Sequence, residues 1–329
     1  KSRYSPYNYL RMTSISNPHA QIVFVEPDGT KMVFERSITS IPKSPKETKP
    51  HPKGITPHDL ILMGRYTDKK ILSSFLVNDF VRISKARLEE IQEKSGLSMN
   101  RKPDKITWKE AESLVKAFKE VKFMAPSADG LIPIEQENIK KGMESIINPE
   151  FSYTTTRSAL TYKGGIPFIV EIGITYGGNH STNNGRDIIR YANRAPLIFD
   201  QGGCAITEAV NSVDWRRYGV RDDDKTPLTV FVNLVSTHIP YTSAGKQAVA
   251  QEEEIFSEIR NGIMDAGRSL KSFLRGKRRL YEKKKKRDTL AKYVPETAAA
   301  LSNLIKKKKK EMIEKQLYCI IGKKYGESA

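Results

Sequence analysis

Tyr191-Ala-Asn-Arg-Ala-Pro-Leu-Ile-Phe199 and Leu228-Thr-Val-Phe-Val-Asn-Leu-Val-Ser236 decide the fold. Both have strand composition, so strands are expected at Arg186 to Phe199 and Leu228 to Ser236, with a helix around Gly203 to Val210 between them. Upstream, Met124-Ala-Pro-Ser-Ala-Asp-Gly-Leu-Ile-Pro-Ile134 leads into a helix over Asn138 to Ile147, and Phe168 to Tyr176 reads as a central strand. Strand and helix alternating over residues 124–250 imply a sheet backed by helices, not a barrel.

Toward the N-terminus, Gln21-Ile-Val-Phe-Val-Glu26 and Lys31-Met-Val-Phe-Glu-Arg36 alternate apolar and polar residues around Pro27-Asp-Gly29, which predicts a hairpin. Ser40 to Gly54 then carries four prolines and forbids regular structure. A lone hairpin is marginal, so the rest of its sheet is expected upstream of residue 1. The chain begins with Lys1 and its first motif starts in mid-element, which suggests part of a longer or split protein.

Residues 56–123 read as a small helical domain of four short helices. Thr56-Pro57 starts the first, and Lys69 to Phe80 has a helical apolar period. Ser84 caps the third and Gly96 ends it; Thr107 with Glu110 forms a capping box for the last.

Beyond Gln251, Ile255, Ile259, Ile263, Ala266, Leu270 and Leu274 recur mostly at four-residue steps, predicting a long helix to about Lys292. Residues 271–310 hold sixteen Lys and Arg against three Asp and Glu, a large share of the chain's formal net charge of +18. That concentration favours a polyanionic partner, because neutralising phosphates releases condensed counterions. Double-stranded DNA is the natural one. Arg275, Lys277, Arg278 and Arg279, with Lys283 to Arg287, can track a backbone without reading bases.

A 329-residue chain with 38% hydrophobic and 29% charged residues has room for several cored domains. It lacks a signal-like N-terminus and any apolar run of membrane-spanning length, so no membrane partner is expected and the reading is cytoplasmic, associated with the nucleoid. Cys204 and Cys319 lie far apart and suggest neither a disulfide nor a zinc site. The five histidines, His19, His51, His58, His180 and His238, show no metal-ligand spacing, and no catalytic triad converges. Glu171, and Arg194 of Asn193-Arg-Ala-Pro196, read as structural partners of the core.

The segments Tyr191 to Phe199, Asp214-Trp-Arg-Arg-Tyr-Gly219 and Ile239-Pro-Tyr-Thr-Ser-Ala-Gly-Lys246 together resemble the transducer domain of the B subunit of DNA topoisomerase VI, a type IIB topoisomerase. The resemblance extends from residue 1 to the neighbourhood of Asn303. It implies a multidomain α+β and α/β architecture. Residues 1–39 would be the terminal strands of an ATP-binding (GHKL) domain of the gyrase, histidine-kinase and MutL type; 40–55 a linker; 56–123 a helix-two-turn-helix insert. Residues 124–250 would be the transducer, with a left-handed β-α-β crossover; 251–292 a strut helix; 293–329 an A-subunit docking segment and basic tail. Where the family continues Pro-Ile with Gly, this chain has Pro133-Ile134-Glu135, which puts that turn in question.

The resemblance also assigns chemistry. Lys246, beside Gly245, would sense the γ-phosphate of ATP from outside the nucleotide domain, stabilising charge on the transferring group. The loop is not a phosphate-binding loop in its own right: Pro240 and Gln247 stand where that motif needs Gly and Ser or Thr. Trp215, Arg216, Arg217 and Tyr218 match a Trp-Lys-x-Tyr segment associated with DNA contact, Arg216 replacing the lysine. ATP and magnesium would be held mainly by the N-terminal ATPase part of the subunit. Partners would be double-stranded DNA, the A subunit, that N-terminal part, and a second B subunit on ATP binding, in an A2B2 enzyme that relaxes supercoils by double-strand passage. This chain alone would cut nothing. The rival reading is a non-enzymatic basic nucleic-acid-binding or adaptor protein, whose dimerisation would not respond to ATP analogues.

Overall fold

The computed structural model describes residues 2, 4–178, 186–220, 227–305 and 309–325. The chain forms two compact units, residues 1–216 with 220–268, and residues 217–219 with 269–329. His180 and Lys306 to Lys308 lie outside the described residues.

The first unit opens with helix α1 (Pro6–Ser16), not expected from the sequence although its signals are present. Ser5 Oγ accepts the Asn8 N–H at 3.3 Å, and Pro6 occupies the first helical position, where a missing N–H costs nothing. The hairpin forms as expected from β1 (Ile22–Val25) and β2 (Lys31–Phe34), with Val25 opposite Lys31. It is a separate two-stranded sheet.

Helices α2 (Pro57–Tyr66), α3 (Leu72–Asp79), α4 (Lys85–Ser95) and α5 (Trp108–Glu120) are the four expected. Thr56 and Asp59 make a reciprocal cap on α2, as Thr107 and Glu110 do on α5. Gly96 closes α4 at φ 67, a left-handed position that glycine adopts without strain. Leu60, Phe75, Phe80, Leu114 and Phe118 form the buried centre, with Phe75 and Phe80 edge to face at 5.5 Å between centroids.

Helix α6 (Gln136–Ile147) leads into β3 (Phe151–Thr156), β4 (Leu160–Tyr162), β5 (Ile166–Tyr176), β6 (Asp187–Ala192) and β7 (Ala195–Pro196). Helix α7 (Ala205–Asn211) precedes β8 (Leu228–Ser236). The sheet order is β3-β5-β8-β6-β7, with β4 also paired to β5. Strand β6 runs parallel to β8, and the other pairs are antiparallel. Strands β5 and β8 are buried on both faces, which explains their unbroken apolar composition. Gly142 lets α1 lie close on α6, since a Cβ there would stand 2.4 Å from the Ile15 carbonyl oxygen.

One strand expectation needs correction. Residues 186–199 do not form one strand, because Asn193 (φ 47) and Arg194 (φ 69) turn the chain between β6 and β7. Two consecutive positive φ values are what a tight two-residue hairpin requires, and asparagine tolerates them better than most residues.

The long helix α8 (Glu253–Ile305) also departs from expectation by running through Pro295 instead of ending near Lys292. A helical proline forfeits a hydrogen bond and costs about 3 kcal/mol. Val294 and Ala298, flanking it, are buried, so packing on either side offsets the break. In the first unit the helix buries Ile255, Ile259, Ile263 and Ala266. There it lies directly on β5, where a Cβ on Gly262 would meet Ile172 Cγ1 at 2.8 Å. Helix α9 (Lys310–Tyr325) completes the second unit, which buries Leu270, Val294, Ala298 and Ile313 among its described residues.

Candidate nucleotide-sensing loop and nucleic-acid interface

Strand β8 ends at Ser236, and the chain then forms a loop whose base is closed by main-chain hydrogen bonds. Ala250 donates to the Pro240 carbonyl at 2.6 Å, Thr242 donates to that of Ala248 at 3.0 Å, and Tyr241 bridges Val249. Ala205, at the start of α7, donates to the Val249 carbonyl at 2.9 Å, tying the returning arm to the sheet's helix. Ala248 and Val249 are buried, whereas Thr242 through Lys246 are exposed. Lys246 stands at the tip in a left-handed conformation, φ 54, with its N–H on the Ser243 carbonyl at 3.1 Å. Its ammonium has no ion-pair partner among the described residues. Gly245 beside it is open: apart from its chain neighbours, a Cβ built there would meet only Ser243 and Gln247, at 3.7 and 4.0 Å. The result is an exposed cation on a fixed stalk.

Within the sheet, where β5 meets Asn233 of β8, lies a buried polar centre. Glu171 on β5 is fully buried, and its carboxylate accepts from the Ile134 N–H at 3.0 Å, the Glu135 N–H at 2.7 Å, Thr156 Oγ1 at 3.1 Å and Asn233 Nδ2 at 2.8 Å. Burial raises its pKa, opposed by those four hydrogen bonds. Asn233 Oδ1 in turn accepts the Arg194 N–H at 3.2 Å, and Arg194 Nη2 donates to the Pro133 carbonyl at 2.9 Å. Burial lowers the Arg194 pKa, with Glu171 and Glu135 acting in the opposite direction. Both residues serve the core, as their sequence context suggested.

The aromatic and basic segment is a short 3-10 helix, Trp215–Tyr218. Trp215 is 1% exposed, with its indole N–H on the Val210 carbonyl at 3.0 Å. The ring is packed into the core of the fold, so in this segment the side chains open to solvent are those of the two arginines. Arg216 is exposed and pairs with Asp214 at 3.1 Å; Arg217 is exposed, and Tyr218 is half-buried. Arg275, Lys277, Arg278 and Arg279 are all exposed on α8, Arg278 pairing with Glu282 at 3.1 Å. The helical period spreads them around the axis.

A second charged group was missed in the sequence. Arg157 Nε lies 2.6 Å from Glu258, and the same guanidinium pairs with Asp265, which also pairs with Arg268. The partners stand about a hundred residues apart, so spacing carries no signal for them. They fasten the start of α8 to the loop after β3. Among the described residues no group of three or more His, Cys, Asp and Glu is arranged to hold a metal ion, and no helix is long and apolar enough to cross a membrane.

Residues 126–286 match the family model of the topoisomerase VI B subunit transducer. Over 298 residues the chain is 48% identical to the B subunit of type 2 DNA topoisomerase 6 from Methanothermobacter thermautotrophicus, covering 89% of this chain and 57% of that protein. It is 43% identical over 370 residues to the protein of the same name from Thermococcus sibiricus, covering 99% of this chain and 65% of the relative. With the Pyrococcus horikoshii protein it shares 44% over 346 residues, covering 92% and 61%. The chain thus spans 57% to 65% of the length of these relatives. On that match and these identities, it belongs to the family of topoisomerase VI B subunits.

Proposed function

We propose that this chain is the transducing part of a type IIB topoisomerase B subunit, coupling ATP binding and hydrolysis to the passage of one DNA duplex through another. Residues 1–39 end an ATP-binding domain of the gyrase and MutL type, 56–123 are a helix-two-turn-helix insert, and 124–250 are the transducer, whose β6-α7-β8 crossover is left-handed. Helix α8 is the strut toward the A subunit, and residues 293–329 provide docking and a basic tail. Membership of the family disfavours the adaptor reading.

The observation that carries the proposal is the presentation of Lys246: an exposed ammonium on a loop whose base is pinned to β8 and α7. Such a group fits a nucleotide phosphate, because a cation held out on a rigid support reaches a neighbouring domain without reorganising. In this reading ATP and magnesium are held mainly by the N-terminal ATP-binding part of the subunit. When bound there, ATP and magnesium supply the phosphoryl group and the free energy of its transfer. Lys246 contacts the γ-phosphate, and loss of that contact shifts the equilibrium between transducer positions. Arg216 and Arg217, with Tyr218 and the cations of α8, bind the DNA backbone.

The test is Lys246→Ala in a holoenzyme reconstituted from full-length B subunit and its A subunit. ATP-driven strand passage is expected to fall by at least about tenfold with assembly intact. Unchanged turnover would remove Lys246 from the mechanism.

A further inference from the structure

We infer that Asn193 is a positioning residue for Lys246, acting through Ser236; this rests on the phosphate-sensing role proposed above. Strand β6 leaves its partner β8 after the Ala192 and Leu234 pair, yet β8 continues for two more residues. The Asn193 side chain occupies the place the strand vacates. Its Nδ2 donates to the Ser236 carbonyl at 2.9 Å, and its Oδ1 accepts the Ser236 N–H at 3.0 Å. Its own N–H donates to the Leu234 carbonyl at 2.8 Å. A primary amide is short, planar and both donor and acceptor, so it imitates a peptide group at the end of the strand.

Ser236 is the last residue before the sensing loop, and it is anchored on both sides. Its Oγ accepts the His238 N–H at 3.2 Å and lies 2.9 Å from the carbonyls of Pro167 and His238, to one of which it donates. Tyr162 Oη donates to the same His238 carbonyl at 2.6 Å. Two residues further on, the Pro240 carbonyl receives the Ala250 N–H that closes the loop. Residues 236–240 thus form the outgoing root of the loop that presents Lys246, and among the described residues the side chain that clamps residue 236 from the turn after β6 is that of Asn193.

The clamp is also connected to the N-terminal helix. Ser16 Oγ donates to the Arg194 carbonyl at 2.8 Å, and Asn17 follows at the helix end. The Arg194 N–H is held by Asn233. Displacing α1 relative to the sheet therefore pulls on the turn 193–194, and through the amide of Asn193 on the root of the loop. A polar line thus runs from Ser16 through Arg194, Asn193 and Ser236 to His238.

The experiment is a double-mutant cycle in the reconstituted holoenzyme, with Asn193→Asp, Lys246→Ala and the double variant, read by ATP turnover, KM for ATP and thermal unfolding. Asn193→Asp keeps the shape of the side chain but replaces the donor with a charge facing the Ser236 carbonyl. Expected are a fall in kcat of about fivefold to tenfold with KM within about twofold, and a double variant no slower than Lys246→Ala alone. If Lys246→Ala slows turnover while Asn193→Asp does not, or if the two losses multiply, Asn193 acts independently and the inference is overturned. If Lys246→Ala itself has no effect, the sensing role fails instead. Should Asn193→Asp fail to fold, Ser236→Ala, which removes a single oxygen, enters the same cycle with the same two criteria.

Discussion

The main-chain N–H of Glu135 lies 2.7 Å from the buried carboxylate of Glu171, and Glu135 reaches that position at φ 76, ψ 142. Glycine enters this region freely, whereas a side-chain-bearing residue is strained there by about 1 to 3 kcal/mol. The turn persists here because Glu171 holds two successive N–H groups, those of Ile134 and Glu135. Glu135→Gly is therefore expected to raise stability, by about 1 kcal/mol after the entropic cost of glycine in the unfolded chain. Chemical denaturation of the two proteins checks this; a less stable variant would show that the glutamate side chain itself supports the turn.

All four hydrogen bonds to Glu171 come from donors, two on each oxygen. An amide in its place would turn its NH2 toward two of them. Glu171→Gln should cost about 1 to 3 kcal/mol despite near-identical shape, because buried donors lose their acceptor. A neutral substitution, measured by urea titration, would mean that the carboxyl is already protonated at neutral pH.

His51 bears on pH dependence. Its Nδ1 accepts the Lys53 N–H at 3.3 Å while Nε2 donates to the Met124 carbonyl at 3.1 Å, an arrangement that only the neutral ring satisfies. Burial, with Lys53 and Arg82 nearby, lowers its pKa below the ordinary 6.5, against the raising effect of the Met124 hydrogen bond. A base with a depressed folded-state pKa binds fewer protons in the native state than in the unfolded one. The corresponding stability is complete above about pH 6.5 and is lost as pH falls through the lower folded value. Between pH 7.5 and 5 the Tm of the wild-type chain should decline more than that of His51→Asn. Parallel Tm profiles would exclude the histidine as the source.

For DNA, replacing Arg216 and Arg217 together by alanine should weaken binding by the assembled enzyme and flatten the dependence of log affinity on log salt by about one to two units. Fluorescence anisotropy at several salt concentrations reads the slope directly. An unaltered slope would place the phosphate contacts elsewhere on the protein.

Much of the architecture was legible because it is written in local chemistry. The capped helices α2, α4 and α5 follow from Thr56, Ser84, Gly96, Thr107 and Glu110, and β8 follows from an uninterrupted apolar run. Composition also placed the basic stretch along α8, and residue order placed Lys246 in a loop after a strand. Tertiary structure alone decided the rest. Periodicity cannot report that Trp215 is enclosed, that α8 survives Pro295 because its neighbours are buried, or that Arg157 meets Glu258. Nor does residue order show that the amide of Asn193 fills the gap beside Ser236. Those outcomes depend on contacts between residues distant in the chain, where the free energy of packing and of satisfying buried polar groups outweighs local preference.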